Sequence, residues 1–578
     1  MIGKIYSDLA SFKTVNLHAG LNLILADKAA GSDDGKTRNG AGKSSLVEII
    51  STLLGGSLKK GDLLKTAELE LSTFGMTVII NGNPIEVQRT GSNPNKINVI
   101  SAPKSELPVQ SENGKNFITL QEWNEYLGNA YFGLDRHTIN QKRAPTFRSL
   151  FQYFARPQKG FDSPEKTVAM QSTGAVQIAL TYLFKLNWHI AREFEEVRQK
   201  DKFVKALKKA ATEGALGDIL GSTSELKTEL TLKTSKAKST RQALSEFRVL
   251  PEYQEKENRV SEISRELAEI STSDITDKEW LLELKQVVKE ESVPDTQRAF
   301  KLFEEAELEL PELVQRRFEE VAKFHESIVQ NRRDHLRQEI ADIEERITGR
   351  LGRKKRLDSE RAEIMSLLQS HGALDQYTKL QAMLSKLESE IELLGKKVEA
   401  TTNLDDKTDE IKVERHNLQR KMRIDHSERD ALISEAILSF ADFSDQLYDE
   451  SGRLTIDPTN NGPKFEFDIP GKKSMGKSKM QVFCFDMTLM KLWSSEKARP
   501  DILIHDSALF DGVDERQIAK ALVIGARVAR EHNFQYIVTM NSDDLPDMSE
   551  FEDFDLDEHR VDLEITDEDT GGLFGFRF

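Results

Sequence analysis

The sequence predicts an α/β domain assembled from the two ends of the chain, with a long antiparallel α-helical coiled coil inserted between its halves. Three observations carry this. A glycine-rich turn, Arg38-Asn39-Gly40-Ala41-Gly42-Lys43-Ser44-Ser45, joins a strand pattern to a helix pattern near the N-terminus. Residues 189–440 lose Gly and Pro and acquire seven-residue apolar spacing. After residue 440 strand-like segments return, and one of them, Asp501-Ile502-Leu503-Ile504-His505, ends at a carboxylate, Asp506.

The N-terminal part, residues 1–188, opens with mixed patterns. NLHAGLNLILAD (16–27) alternates and ends in an apolar run, as a strand does, and SSLVEIISTLL (44–54) has helical spacing. MTVIINGNPIEVQRT (76–90) reads as a hairpin turning at Asn81-Gly82-Asn83. In the middle region Leu380, Leu384, Leu387, Ile391, Leu394 and Val398 alternate four and three apart; Val260, Ile263, Leu267 and Ile270 do likewise, as do Ile340, Ile343 and Ile347. That period keeps one apolar seam facing a partner helix. Breaks are expected at Gly214 to Thr223, Ser271 to Asp277, Pro294, Pro311 and Gly372, and the chain is expected to reverse between 271 and 311. Each arm then holds on the order of 100 residues, roughly 150 Å of helix. In the last part, residues 441–578, RLTIDP, KFEFDIP, DILIHDS and QYIVTMN are strand-like, with helical patterns between the last three. The acidic stretch 543–569 carries Phe and Leu at intervals and reads as a solvated surface with edge strands.

Composition bounds the function. A chain of 578 residues, 38% hydrophobic, 31% charged and 7% aromatic, suits two to four units with long solvated helices. A net charge of -16 argues against a surface coated in nucleic acid but leaves room for local basic clusters such as Lys205 to Lys209, Arg332-Arg333 and Arg350 to Arg356. On coiled helices such clusters are more often solvated faces. The one cysteine, Cys484, excludes an intrachain disulfide and a multi-cysteine zinc site. No apolar leader or membrane-length segment stands out, so a soluble cytoplasmic setting without a membrane partner is expected.

The glycine-rich turn has the composition of a phosphate-binding loop. Glycines let successive backbone N–H groups point at a β-phosphate, Lys43 adds charge toward the β and γ oxygens, and Ser44 can ligate Mg²⁺. The helix that follows presents its positive end to the same anion. The strict pattern has Gly where this chain has Thr37. Asp506, at the end of a neighbouring strand, can serve the Mg²⁺ and its waters; its plain alternative is a helix cap. Ser507 follows it, where a hydrolytic enzyme of this kind usually has Glu as base. Lys473-Ser474-Met475-Gly476-Lys477-Ser478 opens a helix, and Ser474 with Gly476 can hold a γ-phosphate, although an ordinary capped helix looks the same. Lone histidines such as His505 and His325 read as packing or surface residues, not metal ligands.

Taken in order, these motifs resemble the SMC/Rad50/RecN class of ABC ATPases. NLILAD and RNGAGKSS are similar to the Walker A region, KSMGKS to a variant of the LSGGE signature, and DILIHDS to Walker B. Phe510 to Arg516, with Asp514, resembles the D-loop, and Asn541 stands where a switch His is common. RFEEVAKFHESIVQNRR, LYDESGRLTI and DSALFDGVDERQ resemble more narrowly the SMC-like ATPases of bacterial three-component ABC systems, the Lamassu antiphage group. The resemblance implies an ABC-type ATPase head and a homodimer whose heads sandwich ATP and Mg²⁺. It implies Lys43, Asp506 and Asn541 in catalysis; with Ser507 in the usual place of Glu, either another residue positions the water or turnover is slow and ATP acts mainly as glue. It also implies sensing of double-stranded DNA and control of an effector, often a nuclease, through a small middle subunit. A housekeeping repair ATPase of the Rad50 or RecN kind and a coiled-coil scaffold that hardly hydrolyses ATP are the alternatives. The chain lacks the Cys-x-x-Cys of a zinc hook, and Gln141 and Gln152 both fit the family's Q-loop loosely.

Overall fold

The computed structural model describes residues 1–28, 42–103, 107–112, 114–213, 222–247, 251–290, 312–368, 373–471, 474–551, 553–566, 568 and 570–576. Its described residues divide into two compact units: one contains Met1–Glu196 and Arg415–Phe578, the other most of the residues between.

In chain order the first unit holds strands β1 (Ile2–Ser7), β2 (Val15–Asn16) and β3 (Gly20–Asp27), helix α1 (Lys43–Leu53), strands β4 (Thr73–Ile80), β5 (Asn83–Thr90), β6 (Lys96–Ser101), β7 (Gln110–Glu112) and β8 (Lys115–Thr119), and helices α2 (Leu120–Phe132), α3 (Arg136–Ile139), α4 (Phe147–Phe151) and α5 (Thr173–Leu183). Helix α6 (Trp188–Glu213) leads to α7 (Thr223–Ser245), α8 (Pro251–Glu290), α9 (Glu312–Leu368) and α10 (Ala373–Glu428). The first unit resumes with α11 (Asp430–Tyr448), β9 (Arg453–Thr459), β10 (Gly462–Asp468), α12 (Met475–Trp493), β11 (Ile502–His505), α13 (Glu515–Glu531), β12 (Gln535–Asn541) and β13 (Ile565–Thr566).

Two sheets build the head. One is a seven-stranded antiparallel sheet ordered β2-β1-β4-β5-β6-β8-β7; the other is a parallel sheet ordered β11-β12-β3-β13. The central strand β3 is buried through Leu21–Ala26, as the continuous apolar run requires of a strand covered on both faces. Asn22 is the one polar residue in that run, and its side chain joins the backbone of His18 on both edges, at 2.8 and 2.7 Å, fixing the bend into β3. The predicted hairpin is present as β4 and β5, with Asn81 (φ 51°) and Gly82 (φ 79°) as a two-residue turn and Asn83 already in the strand. The halves of the head share one core: Gln535, at the start of β12, exchanges two 2.8 Å bonds with the backbone of Ile2, and Trp493 donates to the Leu183 carbonyl at 2.8 Å.

The second unit consists of antiparallel helices. Lys208 and Lys233 reach Asp405 and Glu390 on α10, while Arg259 and Lys285 on α8 reach Glu360 and Glu344 on α9. The apolar seam is real: Val260, Ile263, Leu267 and Ile270 are buried, and so are Leu387 and Leu394. One expectation is corrected. Residues 271–277 do not break the chain, because α8 continues through them. Thr276 returns its hydroxyl to the Thr272 carbonyl, and Asp274 and Asp277 pair with Arg350 and Arg346 across the helices, so the polar side chains are satisfied without leaving the helix. The rest of the expected reversal, 291–311, lies outside the described residues. Helix α8 also touches α10 through Ser261 with Tyr377 and Gln381, which makes this unit a bundle beyond a simple pair of arms. Among the described residues no helix is long and apolar enough to cross a membrane.

Candidate nucleotide-binding site

Helix α1 begins at Lys43, with Gly42 (φ 98°) as its N-cap in a left-handed conformation that glycine adopts without strain. A side chain has no room there: a Cβ on Gly42 would lie 2.7 Å from the Cβ of Leu573. From this helix start Lys43, 8% exposed, donates to the Asn541 side-chain oxygen at the end of β12. Ser44 Oγ donates to Asp506 Oδ2 at 2.9 Å. Residues 462 and 498 positions apart therefore meet at the C-terminal edge of one parallel sheet.

Asp506 is 2% exposed and fully engaged. Its Oδ1 accepts from Thr539 Oγ1 at 2.9 Å, from the Ser507 amide at 2.7 Å and from Ser507 Oγ at 3.2 Å. The strand carrying it does not adjoin β3, as the neighbouring-strand reading expected. Instead β12 lies between β11 and β3, and it is this intervening strand that brings Thr539 and Asn541 to the site. Asn541 Nδ2 in turn donates to Asp544 Oδ2 at 2.5 Å. Thr539 and Asp544 carried no signal in the sequence beyond their position at a strand end.

Ser474, Gly476 and Asp514 form a second group. Ser474 caps α12 by accepting from the Lys477 amide at 3.2 Å, and Asp514 caps α13 by accepting from the Arg516 amide at 3.1 Å. Gly476 packs on the loop before α13, where a Cβ would lie 2.5 Å from the Gly512 carbonyl oxygen. Ser45, after Ser44 in α1, is half-buried. Arg38, Asn39, Gly40 and Ala41 lie outside the described residues.

Behind Asp506 is a buried polar network. Arg156 and Asp486 are a fully buried ion pair at 2.9 Å, and the same guanidinium donates to the carbonyls of Gly160, Ser163, Pro164 and Lys166. His505 bridges the Tyr536 hydroxyl at 2.9 Å and Asp486 at 3.2 Å, so the packing role read from sequence is here a hydrogen-bonded one. Burial holds its imidazole below the usual range, with the Asp486 carboxylate opposing that shift. Burial likewise pushes the Cys484 thiol up, leaving it an inert core group. Arg156 follows a short segment that pairs in parallel with β11 through Ala155 and Ile504, and exposed Gln158 comes two residues later in a turn. Gln141 instead accepts from Arg192 at 2.6 Å, and Gln152 is buried against the Ser149 carbonyl.

The site suits Mg²⁺ with a nucleotide. One hydroxyl and one carboxylate meet at Ser44 and Asp506, and no cluster of three or more His, Cys, Asp or Glu suited to a metal occurs among the described residues. Mg²⁺ takes few protein ligands when phosphate oxygens and waters complete its shell.

Fold and site together define an α/β head built from both chain ends, with a helical insertion and a candidate phosphate-binding helix start. Residues 443–578 match the family described as uncharacterised protein conserved in bacteria (DUF2326), and residues 279–402 match C-terminal domain 10 of the ABC-three component (ABC-3C) systems. The chain is 23% identical over 591 residues to uncharacterized protein YydD of Bacillus subtilis (strain 168), covering 97% of this chain and 96% of that one. Among solved structures it is similar to the Smc head domain with a coiled coil and joint from Pyrococcus yayanosii (14% identity, 93% and 92% covered, TM-score 0.35). It is also similar to the recombination mediator protein RecF with ATP (10% identity, 94% and 92% covered, TM-score 0.29).

Proposed function

We propose that this chain is the ATP-binding and ATP-hydrolysing subunit of a bacterial three-component ABC system of the Lamassu antiphage type. Two copies pair head to head around ATP, sense double-stranded DNA, and control an effector through a small middle subunit. The observation that carries the ATP site is the meeting of Lys43 with Asn541 and of Ser44 with Asp506 at one sheet edge. The match of residues 279–402 to a domain of three-component systems supports the assembly.

In this reading Lys43 exchanges the Asn541 oxygen for phosphate oxygens, Ser44 and Asp506 part to hold Mg²⁺ and its waters, and Thr539 keeps Asp506 aimed. Bound Mg²⁺ would neutralise phosphate charge as it develops in the reaction. Gln158, which follows the strand segment beside β11, takes the Q-loop role in place of Gln141 or Gln152. Ser474, Gly476 and Asp514 serve the nucleotide of the partner head, where reciprocal contacts favour two-fold symmetry.

Ser507 favours a second reading, a scaffold that binds ATP and turns it over very slowly. Nucleotide binding and phosphate release, measured on parent and Lys43→Ala, separate the two. The enzyme reading expects release above the variant's level, raised by linear duplex DNA and weakened by added salt. Binding without release selects the scaffold, and absence of nucleotide binding removes both. The coil cations enter this with partners already: Lys205, Lys208, Arg350 and Arg353 pair with carboxylates of the same unit.

A further inference from the structure

The carboxylate that normally follows Asp506 is replaced by Ser507, whose hydroxyl is spent on Asp506 Oδ1 at 3.2 Å. Asp506 is held by Ser44, Thr539 and Ser507 for the Mg²⁺ role proposed above, which leaves the base to another carboxylate. A cavity of about 400 Å³ opens beside Ser507, large enough for several waters. Four carboxylates border it: Asp511, Glu515, Asp543 and Asp544. Asp511 faces Lys479 at 3.8 Å, and Glu515 accepts from the Asp547 amide at 2.8 Å, so both serve the loops around α13. Asp544 is linked to Lys43: its Oδ2 accepts from Asn541 Nδ2 at 2.5 Å, and the other end of that amide faces the Lys43 ammonium. Asp544 is thus an exposed carboxylate, two hydrogen bonds from the phosphate-binding lysine and bordering the same space as Ser507.

We infer that Asp544 is the general base of the hydrolysis proposed above, replacing the missing acid at position 507. A water in the cavity beside Ser507 attacks the γ-phosphorus. Its oxygen forms the new P–O bond, the bond from the γ-phosphorus to the bridging oxygen breaks with its electron pair leaving on ADP, and the water's proton passes to the Asp544 carboxylate and then to solvent. Asn541 holds that carboxylate in place and, once ATP has displaced its oxygen from Lys43, orients the water, as an amide side chain does in other nucleotide hydrolases.

This rests on the ATPase reading, and the test separates the two. Full-length parent, Lys43→Ala, Asp544→Asn and the double variant Asp544→Asn/Ser507→Glu are compared for binding of a fluorescent ATP analogue and for single-turnover phosphate release. Asp544→Asn is close in shape and retains an acceptor for Asn541. It should leave binding within about twofold of parent and cut release about a hundredfold, within the usual range for a general base. Ser507→Glu should restore most of that loss by returning a carboxylate to the same cavity. Release by Asp544→Asn within twofold of parent overturns the inference, as does a loss that Ser507→Glu does not reverse or one accompanied by lost binding. A parent no faster than Lys43→Ala removes the ATPase reading itself, and this inference with it.

Discussion

Asp486→Ala tests how the two halves of the head are bound to the sheet edge that carries Asp506. Asp486 lies on α12, Arg156 comes from the N-terminal half, and both side chains are fully buried. The carboxylate takes three guanidinium contacts, at 2.9, 2.9 and 3.2 Å, and the His505 ring at 3.2 Å. Removing it leaves a guanidinium in the core with only the carbonyls of the 160–166 segment for partners, and a histidine without its carboxylate partner. Breaking such a pair on one side costs about 3–5 kcal/mol. At about 1.4 kcal/mol per tenfold, that is roughly two to three and a half orders of magnitude in the folding equilibrium. Urea unfolding in a Trp280→Phe background reads the head, because Trp123, Trp188 and Trp493 are buried while Trp280 belongs to α8. Asp486→Asn, which keeps an acceptor, should fall between parent and Ala. A loss below about 1 kcal/mol for Asp486→Ala would refute the argument, since it would mean that the guanidinium finds water or other partners where the packing leaves none.

Two further outcomes follow from the same geometry. Gly476→Ala drives a Cβ to 2.5 Å from a backbone oxygen of Gly512, so α12 and the loop before α13 must separate, at a cost of about 1–3 kcal/mol; phosphate release should fall while binding of nucleotide to the single head persists, as parallel titrations of both would reveal. His505 makes the head acid-sensitive. With its folded imidazole held below the usual range, the unfolded chain binds the proton first. Stability is then full above about pH 6.5 and declines as pH falls from there toward the lowered folded value. In His505→Gln that part of the pH slope should vanish, and an unchanged slope between pH 6.5 and 5 counts against it.

The sequence made some of this legible and hid the rest for identifiable reasons. The turn into α1 could be read because Gly42, Lys43 and Ser44 act within one local stretch, where spacing alone sets the geometry. QYIVTMN was readable as a strand, and β12 covers the same seven residues. Its place between β3 and β11 was not readable, because strand order is fixed by pairings hundreds of residues apart. Thr539 and Asp544 became site residues only through that order. In the coil the seam of Val260, Ile263, Leu267 and Ile270 was visible as a period, whereas the Ser, Thr and Asp residues of 271–277 resembled a break. What decided the matter was their partners, Arg346 and Arg350 on α9, which no local reading supplies. The extra packing of α8 on α10 has the same origin, since it rests on Ser261, Tyr377 and Gln381 meeting across more than a hundred residues.

The least foreseeable contact is the one between Gly42 and Leu573, and it carries its own prediction. Leu573 is fully buried, its carbonyl accepts from the Lys13 amide at 3.0 Å, and the next carbonyl accepts from Ser11 Oγ at 2.6 Å. Phe574 then packs its ring against Phe12 and Phe74, with centroids 5.8 and 6.2 Å apart. The glycine that starts α1 is therefore pressed from outside by a side chain 531 positions later, which limits where the backbone at Gly42 can move. Leu573→Gly removes that wall, whose nearest atom is the Cβ that an alanine would keep, without touching any group able to contact phosphate. Truncating a buried Leu costs about 2–5 kcal/mol of stability. If about 1 kcal/mol of this goes to loosening the start of α1, nucleotide affinity falls roughly fivefold, although Lys43, Ser44 and Asp506 are all intact. Titration of a fluorescent ATP analogue on folded variant, at a temperature where circular dichroism matches parent, measures the change. Affinity within twofold of parent would mean that the loop holds its shape by itself and that Leu573 merely fills the core.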